Sequence, residues 1–146
     1  MSSDYDAITS LIEKADKENE KIISEFTSYL ESLNLSKKTI KSHVNNIDFF
    51  AEFLNHYVHY EEQIQTLVTA EDTDISTFSL DFFPKKAMWA STASAKQNTS
   101  TFKKFYTWMY EKNKISKETY TDIINIIKEE KREWYEAVGC NEDFIW

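Results

Sequence analysis

The chain has 146 residues, a hydrophobic fraction of 41% and a formal net charge of -8, values typical of one folded, acidic domain. Its single Gly and single Pro exclude a fold rich in tight hairpin turns, and the lone Cys140 excludes an internal disulfide. No apolar run approaches the roughly 20 residues of a membrane span and the N-terminus is acidic, so we expect a cytoplasmic protein.

Two long helices are predicted in the first part of the chain. Apolar residues at helical spacing indicate the first over about residues 5–33, with a polar break at Asn19. Residues 34–36 interrupt this pattern, and the Ser36 hydroxyl can accept from the free amides at the start of a following helix. Over residues 40–58 apolar side chains alternate at steps of four and three, which predicts the second helix.

The middle of the chain has a weaker pattern and predicts one short helix. Thr69 and Asp72 have the spacing of a capping box, which would open a helix running toward Phe82. Pro84 is expected to end that helix, because its ring and its missing N–H disrupt a helix interior.

Two more helices are predicted in the last part of the chain. Residues 90–94 can cap a helix whose apolar face is formed by Ala95, Asn98, Phe102, Phe105, Tyr106 and Met109. The last helix is expected to begin at Ser116 and to end before Gly139. The chain is therefore predicted to be one all-α domain over residues 1–146, a bundle of four to five helices.

Positive charge is concentrated in two segments of this acidic chain. Residues 36–60 carry three Lys and two acids, and residues 85–114 carry seven Lys and one Glu, whereas residues 61–84 between them carry six acids and no base. At 100° per residue, Lys38 and Lys41 lie opposite the core direction of their helix, and so do Lys96 and Lys103. Solvated lysines are common on any single helix. Here, however, two helices each have a face that combines Lys with hydroxyl and amide side chains and has no carboxylate. This combination favours contacts to phosphates and to base edges.

The same helices carry motifs of a known family. The first motif is a short helix that ends in a small loop, then Ser-x-x-Thr followed by a hydrophobic residue, then a Phe-rich stretch. These features lie in residues 26–33 (FTSYLESL), 35–43 (LSKKTIKSH) and 47–54 (IDFFAEFL). Residues 99–110 (TSTFKKFYTWMY) give a basic pair before an aromatic run. In order and spacing these segments resemble the N-terminal core-binding domain of phage integrases and other tyrosine recombinases, over roughly residues 20–125.

The resemblance implies a SAM-like helical domain that clamps one side of duplex DNA, with its second and fourth helices toward the major groove. By position, it assigns DNA contacts to Lys37, Lys38, Thr39, Lys41 and Asn45 on one helix and to Lys96, Gln97, Ser100, Lys103 and Lys104 on the other. These are the faces that the charge pattern also singles out.

Catalysis is not expected from this chain. Recombinases continue into a domain with an Arg, His, Arg and Tyr constellation, whereas only about ten residues follow the last predicted helix here and Arg132 is the only Arg. His56 and His59 form an i, i+3 pair that could hold a metal ion, but solvated helix histidines are the preferred interpretation. We therefore expect a non-catalytic DNA-binding protein with no metal and no cofactor.

A second interpretation assigns the same fold to a protein–protein interaction module that has lost DNA affinity. A net negative protein repels a polyanion, which favours this alternative. The apolar C-terminal residues Phe144, Ile145 and Trp146 would then dock on a protein partner or on a second copy of the chain.

Overall fold

The computed structural model describes residues 2–56 and 64–143, with side chains described for residues 5–56 and 64–139. Every regular element in these residues is a helix, which confirms the all-α prediction. The chain divides into two compact units, Met1–Ala70 and Glu71–Trp146. The single domain and its SAM-like topology stay predictions. No helix in the described ranges is both long and apolar enough to cross a membrane.

The first unit is built on two long helices, α1 (Ser2–Ser32) and α2 (Lys37–His56), which pack against each other. Their buried apolar residues are Ala15, Ile22, Phe26 and Leu30 on α1 and Ile47, Phe50, Ala51 and Leu54 on α2. The helical periodicity of the sequence therefore predicts both helices and most of the faces that they bury, although Leu11 and Leu33 of the α1 pattern are exposed.

The turn between these helices is set by two polar residues. Asn34 has a left-handed conformation, with φ at 58°, which ends α1. The predicted cap is confirmed, because the Thr39 N–H donates to the Ser36 Oγ at 3.1 Å.

The polar break in α1 has a structural role. The Asn19 Oδ1 accepts a hydrogen bond from the Leu67 N–H at 2.9 Å, and the Asn55 Oδ1 on α2 accepts from the Gln65 N–H at 3.1 Å. Both asparagines are buried. They anchor the segment after α2 by satisfying backbone amides that pack away from water.

The second unit contains three short helical elements followed by two long helices. The short elements are α3 (Asp72–Thr77), a π-helical segment (Phe78–Phe82) and α4 (Phe83–Lys86). The long helices are α5 (Thr92–Glu111) and α6 (Lys117–Asp143), which pack against each other. The predicted apolar face of α5 is buried along its whole length, Asn98 included.

Both predicted starts of the long helices are confirmed. The Ser94 N–H donates to the Ser91 Oγ at 3.1 Å, and the Ser91 N–H donates to the Ser94 Oγ at 2.8 Å, which closes a capping box before α5. The Thr119 N–H donates to the Ser116 Oγ at 3.1 Å at the start of α6. Asn113, like Asn34, has φ at 58° and ends the preceding helix.

The predicted capping box at Thr69 and Asp72 is wrong. The Thr66 N–H donates to the Thr69 Oγ1 at 2.8 Å, so this hydroxyl closes a local turn. The helix is capped at Glu71, whose N–H donates to the Asp74 Oδ2 at 2.8 Å.

The predicted helix end at Pro84 is also wrong. The chain stays helical to Lys86, because the Phe83 N–H bonds to the Phe78 carbonyl five residues back and the helix restarts there. Pro84 then lies in the first turn of α4. A backbone N–H at this position has no partner within the helix, so the absence of an N–H in proline breaks no hydrogen bond.

The predicted end of the last helix before Gly139 is wrong for a related reason. α6 continues to Asp143, and Gly139 does not adopt a positive φ. Val138, directly before the glycine, is fully buried, so the apolar face of α6 reaches this end of the helix. A Cβ at Gly139 would meet the Thr92 Oγ1 at 3.7 Å, an ordinary contact, so neither conformation nor space requires glycine here.

Candidate nucleic-acid interface

The first candidate face lies on the N-terminal half of α2. All five predicted residues are exposed, namely Lys37, Lys38, Thr39, Lys41 and Asn45. Among the residues that the structure describes, none of the three lysines forms an ion pair within 4.0 Å. Their ammonium groups are available to an anionic ligand.

These lysines oppose the helix dipole. A helix N-terminus carries a partial positive charge, and an acid there is stabilising by about 0.3–1 kcal/mol at exposed sites. The first turn of α2 holds Lys37 and Lys38 and no acid. Helix stability therefore does not explain their position, and their charge adds to the positive potential of the helix end.

The positive face of α2 has a defined limit. The exposed stripe changes sign along its length in the order Lys38, Lys41, Asn45, Asp48, Glu52. Partial burial, and then the negative charge of Glu20 on α1, raise the pKa of the Asp48 carboxyl above its usual range. The carboxylate-free face thus spans residues 37–45, about 12 Å of helix at about 1.5 Å per residue.

One predicted contact residue has a structural role. The Thr39 Oγ1 accepts a hydrogen bond from the Ser36 hydroxyl at 2.9 Å, and the Ser116 hydroxyl donates to the Thr119 Oγ1 at 3.1 Å in the same way. Helix capping therefore accounts for the Ser-x-x-Thr pattern at the starts of α2 and α6.

The second candidate face lies on α5. Lys96, Gln97, Ser100 and Lys103 are exposed, and Lys104 is half-buried. α5 has no acid before Glu111 at its end. The Lys96 Nζ lies 5.6 Å from the centroid of the Tyr135 ring, a cation–π contact that positions the side chain without neutralising it.

The two faces belong to different units, the first to Met1–Ala70 and the second to Glu71–Trp146. Their combination into one DNA-binding groove stays a prediction. A further lysine of the basic segment is already paired, because the Lys85 Nζ lies 2.6 Å from the Asp81 Oδ1.

No metal centre is formed by the described part of the chain, where no three His, Cys, Asp or Glu side chains converge. The His56 Nε2 lies 3.0 Å from the Asp16 Oδ2 and links α2 to α1. His59 lies outside the described residues, as do Phe144, Ile145 and Trp146 of the predicted docking tail.

Two surface features were not predicted from the sequence. A depression of about 340 Å³ is lined by Glu71, Asp72, Glu118, Thr119 and Asp122, whose carboxylates disfavour an anionic ligand. Met88 and Trp89 are exposed in the turn before α5. The sequence does contain a signal for this second feature, because Met88 and Trp89 are two adjacent apolar residues between a pair of lysines and the cap of α5.

Comparison of the chain with protein-family models, with curated proteins and with solved structures finds no match in any of the three. The resemblance to the recombinase core-binding domain therefore stays a prediction that rests on the motifs themselves.

Proposed function

We propose that this protein is a non-catalytic, cytoplasmic DNA-binding protein that holds duplex DNA with α2 and α5, in the manner of a SAM-like core-binding domain. One observation carries the proposal: each helix exposes lysines with hydroxyl or amide side chains and no carboxylate over two to three turns.

The dimensions of these faces suit a DNA groove. Residues 37–45 and 96–104 each extend about 12 Å along a helix axis. The major groove of B-DNA is about 12 Å wide and admits an α-helix. A helix with its side chains is about 10–12 Å in diameter, so it fits this groove by its diameter and each face can lie along the groove.

The chemistry of the faces fits the two kinds of contact that such a helix makes. Lysine ammonium groups bind phosphate and orient the protein on the duplex. The Asn45 and Gln97 amides can both donate and accept, which is the pattern that reads adenine in the major groove. Both amides are exposed beside the lysines.

The negative remainder of the protein restricts how DNA approaches. The net charge of -8 repels a polyanion from most of the surface, so binding depends on the two faces. The affinity is then expected to fall steeply with salt, because each phosphate contact releases condensed counterions.

The test is charge reversal on both faces. Lys38→Glu, Lys41→Glu, Lys96→Glu and Lys103→Glu in one protein are expected to abolish a duplex gel shift and to leave the helical circular dichroism unchanged. The matched control reverses four exposed lysines elsewhere, namely Lys17, Lys21, Lys117 and Lys128. It changes the net charge by the same amount.

The control separates a local face from overall charge. Equal loss of binding in both quadruple variants would indicate repulsion by net charge alone. If the first variant still binds DNA as the unaltered protein does, the proposal is wrong and the protein-interaction alternative is favoured.

A further inference from the structure

Two large apolar side chains are exposed at the tip of the turn between α4 and α5. Met88 is 99% exposed and Trp89 is 55% exposed, whereas Trp108 and Trp134 are 3% and 2% exposed. Contact of such groups with water is unfavourable, so an exposed Met and Trp side by side call for a ligand that covers them.

The turn is held in one conformation. The Ala87 N–H donates to the Phe83 carbonyl at 3.1 Å, and the Ala90 N–H donates to the Ala87 carbonyl at 3.2 Å. The Ser94 hydroxyl donates to the Trp89 carbonyl at 3.1 Å. The Trp89 ring meets the Phe83 ring edge-on at 6.3 Å, so the indole is supported from the core side.

The chain on both sides of the turn is basic. Lys86 precedes it in the last turn of α4, Lys96 follows it on α5, and residues 86–110 contain no acid. The Lys85 ammonium is engaged by Asp81, so Lys86 and Lys96 carry the local positive charge. A complementary ligand is therefore polyanionic at its edges and apolar between them.

We propose that Met88 and Trp89 form an apolar wedge that enters the minor groove, unstacks a base step and bends the duplex held by α5. The inference rests on the proposed function and adds DNA bending to it. Apolar side chains inserted from the minor groove kink DNA by about 20–90°. An indole also offers a flat face for stacking on an exposed base.

The lysines of α5 connect the turn to the proposed DNA face. Lys96 and Lys103 lie on a stripe that runs about 10 Å along the axis of α5. A phosphate backbone presents its charges along a line, so one duplex can contact the turn and the stripe together. Binding to a lipid surface is the alternative that the vesicle measurement below distinguishes.

The test compares the unaltered protein with the Met88→Ser, Trp89→Ser double variant on a short duplex that carries a fluorophore at each end. The unaltered protein is expected to raise energy transfer between the ends by bending the duplex. The double variant is expected to bind about tenfold more weakly, to lose the bend and to keep the slope of log affinity against log salt, since no phosphate contact is removed.

A Tyr5→Ser, Leu11→Ser variant is the control, because both side chains are exposed and apolar and lie on α1. It is expected to bind and bend the duplex as the unaltered protein does. Circular dichroism verifies that both variants are folded.

Three results would overturn the inference. A Met88 and Trp89 variant that binds and bends like the unaltered protein refutes the wedge while DNA binding stands. Binding of the unaltered protein to anionic phospholipid vesicles, lost in that variant, assigns the turn to membranes. Failure of the unaltered protein to bind duplex at low salt refutes the proposed function itself.

Discussion

Asn113 ends α5 in a conformation that most residues avoid. The Asn113 N–H donates to the Tyr110 carbonyl at 3.0 Å and the Lys114 N–H donates to the Met109 carbonyl at 2.9 Å, the two bonds of a Schellman motif. The left-handed conformation costs other L-residues about 1–2 kcal/mol, and Asn tolerates it better than most.

Asn113→Ala is therefore expected to lower the free energy of unfolding by about 1 kcal/mol, whereas Asn113→Gly is expected to preserve or raise it. Urea unfolding followed by circular dichroism measures both changes. Asn125→Ala, at an exposed position inside α6, is the control and is expected to have little effect. An equal loss at Asn125 would contradict the role of the left-handed turn.

Asp48 is a second residue whose environment has a measurable consequence. Its raised pKa means that the folded protein binds a proton at this carboxyl more tightly than the unfolded chain, whose carboxyl has the ordinary value of 3.8. Stability is therefore expected to fall as the pH rises from this value through the folded pKa.

Asp48→Asn is expected to be more stable than the unaltered protein at neutral pH, with a difference that shrinks toward pH 4 as Asp48 becomes protonated. Urea unfolding across this pH range tests the prediction. A difference that grows on acidification would contradict it. Because Asp48 borders the positive face of α2, the same variant is also expected to bind DNA more tightly.

At the scale of elements, the starts of α2, α5 and α6 and the end of α1 could be predicted from the sequence, whereas the start of α3 and the helix continuations through Pro84 and Gly139 could not. Ser36, Ser91 and Ser116 cap helices as predicted, because a serine three residues before a free amide is a local chemical pattern. Pro84 does not end a helix because the chain restarts there and places it in the first turn of α4, and Gly139 stays within α6 without a positive φ.

The candidate faces divide in the same way. Periodicity predicts exposure for those of the ten residues that lie opposite the core, and all of these are exposed except the half-buried Lys104; Lys37, Thr39 and Gln97, assigned by the resemblance alone, are exposed as well. The capping role of Thr39 and the pairing of Lys85 with Asp81 could not be predicted from the sequence, because they depend on side-chain geometry.

One carboxylate of α6 bonds both to α3 and to a buried tryptophan. The Glu130 Oε1 accepts from the Ser76 hydroxyl at 2.6 Å and from the Trp134 indole N–H at 3.1 Å. Trp134 is buried, so removing the acceptor leaves its N–H without a partner or water.

Glu130→Ala is expected to lower the free energy of unfolding by about 1–3 kcal/mol, and Glu130→Gln by less because an acceptor remains. Chemical denaturation measures both, with the exposed Glu129→Ala as the control. Similar losses for Glu129 and Glu130 would argue against the proposed contact.

For the whole molecule, the net charge of -8 does not reveal that positive and negative residues are unevenly distributed, as the proposed function requires. If both faces hold one duplex, reversing either pair alone, Lys38 with Lys41 or Lys96 with Lys103, should weaken binding more than tenfold. Each pair should also reduce the salt slope by about two, close to one per phosphate contact. Fluorescence anisotropy at several salt concentrations measures this. Loss confined to one pair would indicate that a single unit binds.

If both faces hold one duplex, the division of the chain at Ala70 and Glu71 would make that binding bivalent. Once one unit has engaged a duplex, the other meets it at an effective concentration fixed by their covalent link and not by the amount of protein in solution. Two weak contacts with the same duplex would then give a complex that dissociates slowly, and competing DNA would displace the two units one after the other.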